Sequence, residues 1–238
     1  MRSISELKIK LFADGDDKAQ ILQAQANPLI KGFTTNPTLM RAAGIKDYET
    51  FAHEVLAVVT DKPISFEVFA DDFSEMERQA HKIAEWADNV YVKIPITNTR
   101  KESSVKLIRR LSHSGVKVNV TAILTLEQVR STAEALAGGE TSVVSVFAGR
   151  IADTGLDPVP LMAEAFKHVS SHPGIELLWA SPRELLNIFQ ANDVGCHIIT
   201  ATDSVLSKLK VAGKDLDQYS LETVQMFYND AAHSGYKL

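Results

Sequence analysis

The heptapeptide VYVKIPI, residues 90–96, carries the pattern that decides the fold. Its even-numbered positions are all valine or isoleucine, and Lys93 lies among the odd-numbered positions. Successive side chains of a β-strand point to opposite faces of a sheet, so one face of this strand is continuously apolar and the other holds a lysine. In a barrel, this pattern places the apolar face against surrounding helices and Lys93 towards the barrel axis.

The whole chain alternates between β-like runs and helical segments. The eight runs lie at residues 8–14, 31–36, 64–70, 90–96, 116–122, 142–149, 176–181 and 196–202. The segments between them, such as 76–87 and 126–139, repeat apolar residues at three- and four-residue intervals, and Gly115, Gly138 and Gly174 predict C-terminal helix caps. Asp16 and Asp17 are expected to cap the first helix. Strict alternation predicts parallel strands joined by right-handed crossovers.

Two α/β architectures fit this alternation, a closed (β/α)8 TIM barrel and an open doubly wound sheet. The open sheet would favour a GxGxxG turn or a P-loop, and the sequence contains neither. Eight units without a composition break therefore predict the (β/α)8 TIM barrel, as a single domain over residues 1–238. From about Lys214 the chain is expected to add a C-terminal helix, whose apolar residues should pack on the barrel or on a neighbouring subunit.

Composition excludes several classes of protein. With 45% hydrophobic and 23% charged residues, the chain is neither disordered nor collagen-like. A net charge of -5 provides no basic surface for nucleic acid or for a membrane. No apolar run approaches the roughly 18–20 residues of a membrane span, and the first residues lack the apolar core of a signal peptide. A single cysteine excludes a disulfide framework. We expect a cytoplasmic protein with no nucleic-acid or membrane partner.

Polar residues collect near the C-terminal ends of the predicted strands, where TIM barrels build their active sites. These residues are Asp14, Asn36, Glu67, Lys93, Asn119, Thr121 and Ser145. A buried lysine requires paired carboxylates or a lowered pKa. Taken alone, Lys93 fits a structural ion pair with Glu67 or Asp14. The convergence of polar residues from several strands favours Schiff-base chemistry, in which a neutral amine attacks a ketone.

Four segments resemble the transaldolase family of class I aldolases, which includes short transaldolases and fructose 6-phosphate aldolases. They are FTTNPTL (33–39), YVKIPIT (91–97), NVTA (119–122) and SVFAGRI (145–151). The resemblance runs from about residue 8 to about residue 205, and TTNP together with VKIP is a specific pair. It implies a barrel enzyme that acts through a lysine Schiff base, with no cofactor and no metal ion.

The resemblance also implies a role for each polar residue. Lys93 is similar to the family's Schiff-base nucleophile, and Asp14 to the acid–base residue near the C4 hydroxyl of the donor. Glu67, through a water held by Thr121, is similar to the residue that moves protons while the imine forms. The residues similar to those that bind the dihydroxyacetone hydroxyls are Asn36, Asn119 and Ser145.

The resemblance also implies a site for the terminal phosphate of the substrate at Arg150, Ser181 and Arg183. The chemistry agrees, since the guanidinium group suits phosphate and these loops adjoin the usual phosphate site of a barrel. The alternative is that Arg150 pairs with Asp153, and Arg183 with Glu184 or solvent. The family pattern is not fully kept in this region, since Pro182 replaces an aromatic residue and Gly15 follows Asp14 where Ser or Thr is usual. Trp179 shares the parity of Ser181 and is expected to narrow the pocket.

Two positions separate transfer from cleavage within the family. Transaldolases resemble this chain in having Glu on the third strand and Phe on the sixth, here Glu67 and Phe147, whereas the aldolases have Gln and Tyr. The expected reaction is therefore transfer of a dihydroxyacetone unit from sedoheptulose 7-phosphate or fructose 6-phosphate to an aldose phosphate, as in the pentose phosphate pathway. The alternatives are a fructose 6-phosphate aldolase that releases dihydroxyacetone and a non-catalytic sugar-phosphate sensor. Short family members often form pentameric rings that pair into decamers, so by analogy a homo-oligomer is expected.

Two other signals receive structural interpretations. His168 and His172 are four residues apart and could hold a metal ion, but no third ligand lies nearby in the sequence. Cys196 has the parity of Ile198, which favours packing in the core over service as a nucleophile.

Overall fold

The computed structural model describes residues 3–15, 17–42 and 44–237. Eight parallel strands pair in chain order, and β8 pairs with β1 to close the barrel. The strands are β1 (Lys10–Gly15), β2 (Ile30–Thr35), β3 (Ile64–Glu67), β4 (Val90–Pro95), β5 (Val118–Ile123), β6 (Ser142–Val146), β7 (Ile175–Trp179) and β8 (Ile198–Ala201). The predicted (β/α)8 TIM barrel is confirmed.

Helices follow the strands around the outside of the barrel. They are α1 (Lys18–Gln25), α2 (Pro37–Ala42), α3 (Tyr48–Leu56), α4 (Phe73–Ala84), α5 (Val105–His113), α6 (Leu126–Leu136), α7 (Ala148–Asp153), α8 (Pro158–Val169), α9 (Leu186–Asp193), α10 (Asp203–Leu206) and α11 (Leu216–Ser234). Single 3-10 turns occupy Ile4–Glu6 and Ser207–Val211.

Most of the predicted caps are present where the structure describes them. Gly174 is the exception, because α8 ends at Val169 with Ser170 as its C-cap, and Gly174 lies in the turn before β7. Asp17 precedes α1 and accepts a hydrogen bond from the Ala19 backbone nitrogen over 2.8 Å, whereas Asp16 lies outside the described residues. Gly115 and Gly138 adopt φ angles of 91° and 75° after their helices. Glycine takes this left-handed conformation without the steric cost that a Cβ would add, so both residues end a helix as expected.

Two of the predicted strands, the third and the sixth, end three residues earlier than the sequence indicates. After β3, the backbone nitrogens of Phe69 and Ala70 donate to the side-chain oxygen of Gln79, over 2.8 and 3.0 Å, instead of continuing a strand ladder. After β6, Phe147 turns out of the strand and becomes the N-cap of α7. Both departures lie at the C-terminal end of the barrel, where the connecting loops begin.

Buried apolar side chains form two layers. The larger layer lies between the sheet and the helices and takes the even-numbered residues of β4, of which Val92 and Ile94 are fully buried. The smaller layer lies inside the barrel and consists of Phe12, Val143, Leu178, Ala180 and Ile198. Successive residues along a strand point alternately into the outer and the inner layer. This confirms the predicted alternation of side chains between the two faces of these strands.

The C-terminal helix α11 stands apart from these layers. None of its residues is buried, and its large apolar side chains are at least 45% exposed. They are Leu216, Tyr219, Leu221, Val224, Met226, Phe227 and Tyr228. The expectation that these side chains pack on the barrel is therefore wrong for this chain, while packing on a neighbouring subunit stays a prediction. Among the described residues, no helix combines the length and apolarity needed to cross a bilayer.

Candidate active site

The strand register places Lys93 between two polar neighbours. Its Cα pairs with that of Glu67 on β3 and with that of Asn119 on β5. Residues paired across adjacent strands project on the same side of the sheet, so the three side chains extend together into the barrel. A charged residue and its two neighbours thus converge from three strands that are distant in sequence.

The Lys93 amine has two polar contacts. Its Nζ lies 3.0 Å from Glu67 Oε2 and donates a hydrogen bond to the Thr35 carbonyl oxygen over 2.9 Å. The Lys93 side chain is only 12% exposed and that of Glu67 is 23% exposed. An amine this far from water is costly to keep charged without a facing carboxylate, and Glu67 supplies one. The same carboxylate is within reach to accept a proton from the amine.

Asn119 is held from both sides by buried hydroxyl groups. Its Oδ1 accepts a hydrogen bond from Ser145 Oγ over 2.6 Å, and its Nδ2 donates to Ser65 Oγ over 3.0 Å. All three side chains are at most 3% exposed. Because the amide oxygen and nitrogen each have a fixed partner, this network sets the orientation of the Asn119 amide beside Lys93.

Asp14 lies on β1, where Thr34 Oγ1 donates to its Oδ1 over 2.8 Å. Asn36 follows β2, and its Oδ1 accepts from the Thr38 backbone nitrogen over 2.9 Å, which fixes the orientation of that amide. The residue after Asp14 must be small, because a Cβ on Gly15 would lie 2.5 Å from Ile21 Cγ1. This contact gives a local reason for the departure from the family pattern at Gly15.

A cavity of about 60 Å³ at the C-terminal end of the barrel gathers most of the predicted residues. Its lining consists of Asp14, Thr34, Asn36, Lys93, Asn119, Thr121, Ser145, Phe147, Arg150, Ala180, Ser181 and Thr200. The cavity shares Lys93, Thr121 and Arg150 with a groove of about 690 Å³, which also includes Glu67. A volume of this size is sufficient for a small organic substrate.

The loop after β6 approaches the loop after β7 very closely. A Cβ on Gly149 would lie 1.5 Å from the Ser181 carbonyl oxygen, so only glycine fits there. Beside it, the Arg150 guanidinium lies 5.6 Å from the centre of the Phe147 ring, within the range of a cation–π contact. Arg150 and Ser181 therefore both line the cavity, on neighbouring loops.

The expectation that Trp179 narrows the pocket is wrong. Ser145 faces the cavity and pairs with Leu178, while Trp179 pairs with Val146 on the other face. Trp179 is fully buried in the outer layer between sheet and helices. Ser181 shares the parity of Trp179 but reaches the cavity, because its φ of 58° takes the chain out of the strand path.

Arg183 is an exposed residue outside the lining of the cavity and of the groove. Its Nε donates to Asp153 Oδ1 over 2.9 Å, and its second terminal nitrogen donates to Oδ2 of the same carboxylate. This fork lowers the pKa of Asp153 and raises that of Arg183. The alternative that paired Arg183 with Glu184 and Arg150 with Asp153 is thus corrected: Asp153 takes Arg183 instead, because α7 and the loop after β7 are adjacent.

Three residues that support the site are not predicted by the sequence patterns. Thr34 and Thr200 line the cavity, and their hydroxyl oxygens are 2.6 Å apart. The sequence could have indicated them, because both lie at inward-facing positions of their strands, β2 and β8. Tyr48 comes from α3 and accepts a hydrogen bond from the Glu67 backbone nitrogen over 2.8 Å, and burial raises its pKa to about 12. No strand pattern could have indicated a residue delivered by a helix.

The other candidate signals lie away from this site. Cys196 is buried in the outer core, as expected, and burial raises its pKa to about 12. His168 contacts Arg130, whose Nε lies 3.1 Å from His168 Nε2. Within residues 3–15, 17–42 and 44–237, no group of three or more His, Cys, Asp or Glu side chains has the arrangement of a metal site.

Comparison with known proteins decides the family. The model of the transaldolase/fructose-6-phosphate aldolase family matches residues 11–237. The chain belongs to this family. A probable transaldolase of Methanococcus maripaludis strain C7 is 36% identical over 203 residues, covering 84% of this chain and 89% of that protein. A probable transaldolase of Dehalococcoides mccartyi is 34% identical over the same share of this chain and 90% of its own length.

A further member, probable transaldolase 2 of Listeria monocytogenes, is also 34% identical, over 84% of this chain and 88% of its own. These relatives confirm the resemblance to the transaldolase family. Among solved structures, a point mutant of mandelate oxidase with a monooxide FMN adduct superposes with a TM-score of 0.54 at 16% identity. That match covers 88% of this chain and 67% of the oxidase and reflects the shared barrel fold alone.

Proposed function

We propose that this member of the transaldolase family transfers a dihydroxyacetone unit from a ketose phosphate to an aldose phosphate through a Schiff base on Lys93. The observation that carries the proposal is the nearly buried Lys93 amine 3.0 Å from the Glu67 carboxylate, inside a polar cavity at the C-terminal end of the barrel. Sedoheptulose 7-phosphate and fructose 6-phosphate are the proposed donors.

Formation of the imine begins when Lys93 loses a proton to Glu67. The neutral nitrogen then attacks the ketone carbon, C2 of the donor, and one proton moves from this nitrogen to the former ketone oxygen to give a carbinolamine. Glu67 returns the proton to the carbinolamine hydroxyl, which leaves as water, and the nitrogen lone pair forms the iminium bond. Thr121 is 4% exposed and borders both the cavity and the groove, a position from which it can hold the water that links Glu67 to the reacting hydroxyl.

Cleavage of the carbon–carbon bond of the donor follows, with Asp14 as the base. Its carboxylate removes the proton of the C4 hydroxyl, the oxygen electrons form the new aldehyde, and the C3–C4 electron pair moves into the iminium to give a neutral enamine. Asn119, oriented by Ser65 and Ser145, and Asn36 hold the three-carbon fragment by its hydroxyl groups. The enamine then attacks an incoming aldehyde, and the steps run in reverse to release the new ketose.

Arg150, Ser181 and Arg183 are the proposed contacts of the terminal phosphate. Arg150 and Ser181 border the cavity that holds Lys93, on the β6 and β7 side of the barrel. The fork to Asp153 engages the Nε edge of Arg183 and leaves three of its five N–H groups for a phosphate oxygen. Phosphate binding therefore requires Arg183 to turn its free edge towards the cavity.

Reductive trapping tests the proposal. The protein is mixed with fructose 6-phosphate and borohydride, and its intact mass and peptide map are measured; the same is done with sedoheptulose 7-phosphate. A reduced three-carbon adduct on Lys93 is the expected result, since it requires imine formation, bond cleavage and retention of the enamine. The absence of any adduct on Lys93 with both donors would refute the proposal.

The matched control separates Lys93 from the other lysines. Lys93→Arg keeps the positive charge but removes the nucleophile, so it should abolish both the adduct and turnover. Lys117→Arg makes the same change at the opposite end of the next strand, where the amine donates to the Asp88 carbonyl oxygen. This second variant should retain both. A sensor that only binds sugar phosphate would lose no function in Lys93→Arg.

The distinction between transfer and cleavage rests on Glu67 and Phe147. Phe147 lies under Arg150 and has no hydroxyl that could protonate the bound enamine. The double variant Glu67→Gln, Phe147→Tyr should therefore release more dihydroxyacetone from fructose 6-phosphate without an acceptor. Measured cleavage that stays at the level of the unmodified protein would argue against the roles assigned to these two positions.

We also propose that α11 docks on a second copy of this chain. Its seven large apolar side chains are 45% to 80% exposed, more apolar surface than one amphipathic helix usually leaves in water. By analogy with the family, the assembly is a pentamer or a decamer. Sedimentation of the full chain and of a Leu221→Asp, Phe227→Asp variant tests this; a monomeric unmodified protein would exclude it.

A further inference from the structure

Three residues inside the barrel form a continuous chain of hydrogen bonds. Thr200 Oγ1 on β8 lies 2.6 Å from Thr34 Oγ1 on β2, and Thr34 Oγ1 lies 2.8 Å from Asp14 Oδ1 on β1. Thr200 is 7% exposed and Thr34 is 4% exposed. The hydroxyl groups of β8 and β2 meet across β1 because interior side chains of alternate strands share a layer in a barrel.

The direction of these hydrogen bonds follows from counting protons. An ionised carboxylate only accepts, so Thr34 must donate its single hydroxyl proton to Asp14. Thr34 then has no proton left for Thr200, and in their 2.6 Å contact Thr200 must be the donor. The order of donation is therefore Thr200 to Thr34 to Asp14.

We propose that Thr200 is a positioning residue for the carbon–carbon cleavage step: its hydroxyl donates to Thr34, fixes Thr34 as the donor to Asp14 Oδ1 and so holds the Asp14 carboxylate in the orientation that takes up the proton. This inference rests on the proposed function, in which Asp14 takes the proton of the C4 hydroxyl. Successive hydrogen bonds in a buried chain strengthen one another. Without the Thr200 hydroxyl, the Thr34 oxygen no longer accepts a hydrogen bond, and the hydrogen bond that Thr34 donates to Asp14 becomes weaker.

This chain of hydrogen bonds acts on one step of the reaction only. In that step the C4 hydroxyl proton goes to the Asp14 carboxylate, the oxygen electrons form the aldehyde, and the C3–C4 pair neutralises the iminium as an enamine. Thr34 keeps its proton on Oγ1 throughout. Imine formation at Lys93 runs through Glu67, which faces the amine from β3 and lies outside this chain of three residues. Loss of Thr200 should therefore slow cleavage and leave imine formation intact.

The test uses the full-length protein and the variant Thr200→Val, which has the same shape without the hydroxyl. After borohydride trapping with fructose 6-phosphate, the ratio of six-carbon to three-carbon adducts on Lys93 reports how fast cleavage follows imine formation. We expect this ratio to rise and kcat to fall, each by about five- to tenfold, which corresponds to the loss of one hydrogen bond. KM and the total adduct should stay within about twofold of the unmodified protein, since imine formation does not use this chain.

Thr200→Ser restores the hydroxyl and should recover the adduct ratio and kcat, which a loss of packing alone would not explain. If Thr200→Val does not fold, Thr200→Ala and Thr200→Ser provide the same comparison. An unchanged adduct ratio in a folded variant without the hydroxyl overturns the inference, as does a parallel loss of total adduct. No adduct in the unmodified protein would instead be a failure of the proposed function.

Discussion

The close approach at Gly149 gives the sharpest structural prediction. Replacing Gly149 by alanine would place a Cβ 1.5 Å from the Ser181 carbonyl oxygen and 2.6 Å from its carbonyl carbon. Both neighbours are backbone atoms, so no side chain can rotate away. To reach an ordinary contact near 3.5 Å, the start of α7 and the loop after β7 must separate by about 2 Å.

The cost of this separation can be worked from the contacts it removes. The hydrogen bond from the Gly149 nitrogen to the Ala180 oxygen, 3.3 Å long, would be lost, at about 1 kcal/mol. Overpacking in a tight interior costs a further 1–3 kcal/mol, about 2–4 kcal/mol in all. For a chain of this size, each kcal/mol lowers the Tm by about 2–4 °C, so Gly149→Ala should melt roughly 4–16 °C below the unmodified protein.

Gly155→Ala is the matched control. Gly155 lies just beyond α7 with a φ of 86°, but nothing stands within 4 Å of its added Cβ. Its cost is only that of a left-handed alanine, about 1–2 kcal/mol. Differential scanning calorimetry should therefore rank the unmodified protein above Gly155→Ala and Gly155→Ala above Gly149→Ala. In addition, only Gly149→Ala should weaken the binding of inorganic phosphate, because it moves Arg150 away from Ser181. A Gly149→Ala protein that melts at or above the control would refute the steric argument.

Three further predictions follow from contacts elsewhere in the molecule. Asp153→Asn removes the charge that holds Arg183 away from the cavity and should lower KM for fructose 6-phosphate severalfold but leave KM for unphosphorylated fructose unchanged, as steady-state kinetics will show. An equal change for both sugars would contradict this prediction. Burial raises the pKa of Cys196 to about 12, so a thiol reagent at pH 8 should modify it only after unfolding in urea. Burial lowers the pKa of His197, and its Nδ1 accepts from the Leu177 nitrogen over 2.9 Å. At low pH the unfolded chain then binds more protons than the folded one, so the free energy of unfolding should fall as the pH drops below about 6.5. The fall should be smaller in His197→Gln. Identical urea midpoints across this pH range in both proteins would exclude the effect.

The barrel could be predicted almost completely from the sequence, and the site could be predicted in its chemistry. Lys93, Glu67 and Asn119 are polar residues that alternate with apolar ones along their strands, and the structure pairs them side by side. The residues around them were harder to find. Thr34 and Thr200 are ordinary strand residues whose importance depends on the 2.6 Å contact between β2 and β8.

The alternation of side chains between the two faces of a strand was least informative where the strands end. It assigned Trp179 and Ser181 to the same face, yet Trp179 belongs to the outer core and Ser181 to the cavity rim. The period of two holds only while the backbone stays extended, and the left-handed conformation of Ser181 breaks it. The same limit applies after β3 and β6, where side-chain hydrogen bonds and helix starts replace the strand ladder.

By itself, the sequence determined which residues face inward along each strand, because alternation depends only on local backbone geometry. It therefore determined the barrel and the presence of an amine among carboxylates and amides. Only the tertiary structure decided which of these groups touch. The pairing of Asp153 with Arg183, the support of Glu67 by Tyr48 and the order of donation from Thr200 to Asp14 all join residues far apart in the chain. Such contacts depend on register and on loop paths, which are set when the eight strands close around a common interior.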